Sequence, residues 1–255
     1  MKRIFFIAVF ILIIFNLSHT IINFNIKERF LEREAGLDYI AFLDGLDKSV
    51  LNKGKNNMSD LKVIFTGITR DNSRDIPTML AAIKLLGGYF KDYKVIIFEN
   101  DSRDNTLELL NNAAVKDNRI RVISQNYHLK KRPSIAFLAE IRNKYIDEIS
   151  KSEYSDYDVV IMMDMDMKYG FDLRGIIHSF GIYDQWDGVC SNGFFTQDGR
   201  MYDAFAFRNE EFPYSFNDID ENYYWNEYIP KVQKIYSANS ELVSVKSCFG
   251  GMGIY

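Results

Sequence analysis

The spacing of hydrophobic positions changes several times along the chain, and the changes divide it. Twelve uninterrupted apolar residues, Ile4 to Phe15, follow Lys2 and Arg3, and a weaker apolar tail runs to Ile22. At about 1.5 Å per residue, a helix over this stretch is just long enough for a bilayer core of roughly 30 Å. We therefore expect a transmembrane signal anchor over 1–23. A cleaved signal peptide fits less well, because no small-x-small cleavage site follows. Residues 24–60 are expected as a stem. Tyr39, Phe42, Leu43 and Leu46 fall on one helical face there, and a Lys/Asn/Gly-rich run follows that reads as linker.

From Leu61 onward, short β-rich runs alternate with helical spacing. "LKVIFTGITR", "YKVIIFEN", "RIRVISQ" and "YDVVIMMD" read as strands. "DIPTMLAAIKLLGGYF", "DSRDNTLELLNNAA" and "SIAFLAEIRNKYIDEIS" read as helices. In the first of these, Ile76, Met79, Leu80, Ile83 and Leu86 share one side, and Pro77 suits a first turn. The second carries Asp and Ser as candidate caps. Strands alternating with helices predict an α/β fold over 61–255: a Rossmann-like, mixed but mostly parallel sheet flanked by helices. "NGFFTQDGRMYDAFAF" reads as a β-hairpin turning at Gln197-Asp198-Gly199.

Composition changes this picture only at the margins. The 255 residues are 47% hydrophobic and 26% charged, which suits a globular chain. A net charge of −4 argues against a basic surface for nucleic acid. The 20 Phe and 16 Tyr suggest a large core and a stacking surface. Cys190 and Cys248 allow one disulfide, but they make neither a disulfide scaffold nor a zinc site.

In parallel sheets, ligands bind outside the carboxyl ends of the strands. Arg70 stands after the first strand, Glu99 and Asp101 at and after the end of the second, and Asp164 and Asp166 after the fourth. Residues two apart in extended chain point the same way, so two carboxylates here repel each other. A divalent cation relieves that repulsion. Mn2+ or Mg2+ takes oxygen ligands, commonly one or two carboxylates together with substrate phosphates. Asp-x-Asp alone is common in acidic chains. Its place directly after an apolar strand, in the fourth β unit, is what makes it a metal-site candidate.

Five stretches, in this order, carry a family resemblance: "FENDSRDNTLELL", "SIAFLAEIRNKYIDEI", "VVIMMDMDM", "YDAFAFRN" and "VKSCFGGMGIY". Together they resemble the GT-A glycosyltransferases, and more narrowly the cryptococcal capsule-associated α-1,3-mannosyltransferases. The regular Asp-x-Asp departs from the less regular acidic pair often found in that family. The resemblance implies a GDP- or UDP-sugar donor, a divalent metal and a glycan hydroxyl as acceptor. It implies that Asp166 binds the metal and that Asp164 assists through the metal's water or the donor ribose. Arg70, Glu99 and Asp101 would lie near the nucleoside, and Arg142 near the diphosphate. A surface ion pair of Arg142 with Glu140 or Asp147 is the plainer alternative.

The aromatic segment after the acidic pair is expected to build the acceptor side, with Phe205 and Phe207 in the core. Tyr202 and Asp203 are candidate donor or acceptor contacts there. No acidic residue follows Glu241, so a fragment is one expectation. The other is that Asp203, Asp218 or Glu221 takes the part of the later acidic residue usual in the GT-A enzymes, as catalytic base or acceptor contact. The expected protein is a type II-like, single-pass membrane enzyme, in the Golgi if eukaryotic or the inner membrane if bacterial. Its rivals are a haloacid dehalogenase-like phosphatase and a non-catalytic glycan-binding scaffold. The phosphatases, however, place their aspartate motif at the first strand.

Overall fold

The computed structural model of the protein describes residues 46–129, 134–167, 170–191, 193, 201–233 and 241–255. The anchor expected over 1–23 lies outside the described residues, as does most of the helix expected from Tyr39 to Leu46. Among the described residues no helix is long and apolar enough to cross a membrane.

Six strands form one sheet: β1 (Lys62–Thr69), β2 (Asp92–Asn100), β3 (Ile120–Gln125), β4 (Val159–Met163), β5 (Val189–Cys190) and β6 (Met252–Ile254). Their order is β3-β2-β1-β4-β6-β5. The first four pair in parallel, while β6 runs antiparallel between β4 and β5. The sheet is therefore mixed and mostly parallel, as the strand and helix pattern predicts. The order reverses direction at β1, so the switch point lies between β1 and β4, where open sheets of this kind leave a crevice.

The strand residues alternate between two cores. Phe65, Ile97, Ile161 and Met163 face one way, and Ile64, Ile96 and Phe98 the other. The first face is covered by α2 (Ile76–Gly87), α3 (Thr106–Lys116) and α5 (Leu173–Gly181). The second is covered by α4 (Ile135–Ile149), which buries Ile141 and Tyr145 against the sheet. In α2 the buried residues are Ile76, Met79, Ile83, Leu86 and Gly87, close to the expected stripe. At the start of α3, Asp104 accepts the Thr106 N–H at 2.9 Å.

One expectation needs correction. Residues 48–60 are not linker but helix α1 (Lys48–Asp60), whose N-cap Asp47 accepts from the Ser49 N–H at 2.7 Å. Its polar composition conceals a narrow packed stripe: Met58 lies in the main core, and Gly54 meets α5 backbone to backbone. A Cβ at Gly54 would stand 1.9 Å from the Ile177 carbonyl oxygen. The Gly that suggested a flexible stem is there because the two helices touch.

The rest of the chain builds a second, smaller core from Met201, Phe207, Phe212, Tyr224, Tyr228 and Val232. Phe207 is core as expected, and Phe205 packs on its edge. The turn of the expected hairpin, at 197–199, lies outside the described residues. Its second arm is not strand: 202–206 form a turn. A helix over 221–232 follows, called α6, whose middle Tyr224–Tyr228 is wound as π-helix. A Cys190–Cys248 disulfide ties this unit to β5.

The packing of α1 gives the first prediction. Gly54→Ala is expected to lower the unfolding free energy by about 2 kcal/mol in chemical denaturation, because the added methyl overpacks a backbone contact. A solvated stem helix would instead gain about 1 kcal/mol from the better helix former.

Candidate active site

The polar loops after β1, β2, β3 and β4 are tied to one another at the carboxyl edge of the sheet. The Asn72 side chain donates to the Met165 carbonyl at 2.6 Å, joining the β1 loop to the loop that carries both aspartates. The Asn72 N–H donates to Thr106 Oγ1 at 2.7 Å, the Ser73 N–H to Asp104 at 2.8 Å, and the Arg103 N–H to Asp71 at 2.7 Å. These bonds knit the β1 and β2 loops. Burial alone would raise the Asp104 carboxyl. The hydrogen bonds from Thr106 and Ser73 overcome that and hold it well below the usual carboxylate range.

Asp101 does the same work toward β3. It stands in the left-handed region at φ 54° and accepts the Tyr127 N–H at 2.9 Å and the Asn100 side chain at 2.9 Å. Burial raises its carboxyl, and these bonds more than offset it, leaving the pKa lowered. Glu99 is 2% exposed, with its oxygens accepting from the Ser102 N–H at 2.9 Å and Ser124 Oγ at 2.5 Å. Both carboxylates brace loops. Arg70, at the end of β1, differs from them. Its Nη1 is buried without a hydrogen-bond partner among the described residues, a donor suited to an incoming anion.

The two aspartates lie one step beyond β4, and the alternation persists through them. Asp164 is partly buried and Asp166 exposed, while Met165 between them is 1% exposed. Met165 lies on Gly67 of β1, where a Cβ would stand 2.8 Å from its Cγ. The inward methionine turns both carboxylates outward, at the crevice between β1 and β4.

Two turns distant in sequence close around this pair. Tyr202 donates its hydroxyl to Asp164 at 2.8 Å, and the Asp164 N–H bonds the Gly251 carbonyl at 2.9 Å. Gly250 and Gly251 both take positive φ, and the Ser191 hydroxyl donates to the Gly250 carbonyl. Cys190 and Cys248 sit beside these residues, so the disulfide holds the turn that receives Asp164.

Burial, with the charge of Asp166, pushes the Asp164 carboxyl up, against the Tyr202 hydrogen bond and Arg142. Asp203 is pushed up to about 6, first by burial and then by Asp164. Arg142 and the N–H groups of Gly250 and Ala206 pull the other way. Arg142 lies over the Phe249 ring, 5.3 Å from its centroid, and acts on both carboxyls, so it faces the acidic centre.

Asp164, Asp166, Asp203, Tyr202 and Arg142 therefore converge. Arg70, Glu99 and Asp101 sit on adjacent strand ends. Asp218 accepts the Ser215 N–H at 2.6 Å in a turn, and Glu221 is exposed at the start of α6. Asn72 was one of several polar residues after the first strand, Asp104 lay where a helix cap was expected, and the 249–251 turn lay in a stretch that carries the family resemblance, but their contacts at the site needed the fold.

A divalent metal would find only part of its ligand shell in this donor set. Among the described residues no group of three or more His, Cys, Asp or Glu side chains is arranged to hold one. Two carboxylates one residue apart at the crevice still match the small protein share that Mg2+ or Mn2+ takes beside a diphosphate.

A mostly parallel sheet with an acidic pair and an arginine at its switch point fits the glycosyltransferase class. The family model described as cryptococcal mannosyltransferase 1 matches residues 62–255, and the chain belongs to that family. No curated protein matches. Among solved structures, S. aureus TarS 1-349 in complex with UDP-GlcNAc is similar over 42% of this chain and 27% of that one, at 17% identity and TM-score 0.29. The mannosyltransferase PcManGT from Pyrobaculum calidifontis, in complex with GDP-Man and Mn2+, is similar over 64% of this chain and 47% of that one, at 13% identity and TM-score 0.39. The chain thus spans less than half the length of either, and at these scores neither likeness carries an argument.

The Asp203 environment predicts a pH effect in the metal-free protein. Its carboxyl binds its proton more tightly folded than unfolded, so stability falls as pH rises from about 4 to about 6. Asp203→Asn removes that penalty, at most about 3 kcal/mol. Thermal melts are expected to show the variant more stable than wild type at pH 8 and equal to it at pH 3.5.

Proposed function

We propose that this chain is a metal-dependent glycosyltransferase that moves a hexose, mannose by family, from a GDP- or UDP-sugar to a glycan hydroxyl. The observation that carries the reading is the convergence of Asp164, Asp166, Asp203 and Arg142 at the β1/β4 switch point. Asp164 and Asp166 would hold Mn2+ or Mg2+, which supplies positive charge against the leaving diphosphate. Tyr202 fixes the Asp164 carboxylate by its hydrogen bond. Arg142, braced on Phe249, offers a second positive charge to the diphosphate, a preorganised electrostatic contribution. The unpartnered Arg70 donor serves the nucleotide from the β1 side.

Asp203 is the base in this reading. With a pKa of about 6 it is mostly ionised at neutral pH and still basic enough to accept a proton. The acceptor oxygen bonds the anomeric carbon, its proton passes to Asp203, and the bond to the nucleoside diphosphate breaks. The acceptor glycan, a membrane attachment through 1–23 and a secretory-pathway or inner-membrane location belong to the same proposal. The disulfide suits an oxidising compartment.

The test is calorimetric titration of the full chain in detergent with GDP and with UDP, each with and without Mn2+. One nucleotide is expected to bind only with metal, and Asp164→Ala/Asp166→Ala to weaken it at least about a hundredfold. Metal-independent binding, or binding untouched by the double variant, contradicts the metal reading. Binding with no transfer or hydrolysis of any GDP- or UDP-hexose favours the non-catalytic scaffold.

A further inference from the structure

The acidic centre leaves one group of side chains unused. Phe205 follows Asp203 by two residues, in the turn closed by the Ala206 N–H on the Asp203 carbonyl at 2.9 Å. Trp225 stacks on Phe205, with ring centroids 6.0 Å apart and planes 16° apart. Phe216 leans on Trp225 at 5.9 Å. Beneath them Tyr224, fully buried, meets Phe205 edge-on at 6.0 Å and Trp225 at 5.1 Å. The Tyr224 phenol is raised by burial, and the charge of Asp203 also reaches it. The turn that carries Asp203 thus also carries Phe205 into the ring cluster.

Trp225 is held by three rings yet remains 47% exposed. A π-wound stretch, a feature frequent at functional sites, presents it outward while Tyr224 and Tyr228 pack inward. A rigid, half-open aromatic surface loses little conformational entropy when something docks on it. The surrounding charge says what that is. Residues 201–255 carry eight carboxylates against four basic side chains. Arg208 lies over the Phe205 ring at 6.0 Å, but its guanidinium is engaged by the Phe205 and Phe207 carbonyls, and with Asp218, Asp220, Glu221 and Glu227 near in sequence the net charge of the segment disfavours phosphate, anionic lipid and acidic polysaccharide. A neutral pyranose fits, because it lays its C–H face on an aromatic ring and turns its hydroxyls to carboxylates and amides.

We infer that Phe205, Phe216 and Trp225 form a stacking subsite for a neutral pyranose of the acceptor glycan, beside the hydroxyl that reacts at Asp203. This rests on the glycosyltransferase reading above. It adds the class of acceptor and the residues that select it.

Trp186 and Trp225 are the two tryptophans of the chain, so emission reports on the subsite. The full chain in detergent, with Mn2+ and GDP or UDP present, is titrated with mannotetraose, isomaltotetraose and tetragalacturonate. A neutral tetrasaccharide is expected to shift the emission. Trp225→Ala is expected to abolish that shift and weaken calorimetric binding about tenfold. Trp225→Phe, which keeps a ring, retains most of the binding, and nucleotide affinity in both variants stays within about twofold of wild type, showing them folded. The inference is overturned if Trp225→Ala binds the neutral sugars as wild type does, or if only tetragalacturonate binds. It is also overturned if wild type binds nucleotide with Mn2+ but no neutral tetrasaccharide. A wild type that binds no nucleotide overturns the reading underneath it as well.

Discussion

The site depends on the short antiparallel strand β6 lying beside β4. Without it, the residues after Met163 would leave the sheet as an ordinary loop, and two carboxylates one residue apart would separate to reduce their repulsion. Instead Met252 pairs with Met163, and the Gly251 carbonyl takes the Asp164 N–H at 2.9 Å. The pairing fixes Asp164 where Tyr202 can reach it and brings Asp203 and Arg142 to the same place. The disulfide supports this arrangement from the side of β5. Closing a loop of 58 residues removes chain entropy from the unfolded state on the order of 4 kcal/mol.

Much of the frame was legible in the sequence because it rests on local periods. Strand alternation and the stripe on α2 state which faces are buried, and four strands alternating with helices leave a parallel sheet as the simple answer. The acidic pair was legible for a related reason: an apolar strand that ends in two carboxylates is a local pattern. What the sequence hid is long-range. Gly54 reads as flexibility until Ile177 is seen against it. Asn72 is one polar loop residue among many until its amide is found on Met165, across the crevice. "GGMGIY" carries part of the family resemblance, but only the register with β4 shows it to be a strand of the sheet.

The same distinction separates Glu99 and Asp101 from Asp203. All three were candidates, Glu99 and Asp101 at the end of a strand and Asp203 in the aromatic segment after the acidic pair. Glu99 and Asp101 have their oxygens taken up by loop N–H and hydroxyl groups, which makes them braces. Asp203 is pressed by burial and by another carboxylate, so it gives up stability to stand where it does. Groups held at a cost to folding are the ones a reaction can use.

The most direct test of this account is anomalous X-ray scattering at the manganese edge from crystals of the full chain grown with Mn2+ and GDP. The account predicts one strong peak within coordination distance of Asp164 or Asp166, bridged to the diphosphate, with Arg142 on the phosphate side. A peak elsewhere on the protein, or bound nucleotide with no manganese at the acidic pair, would contradict it.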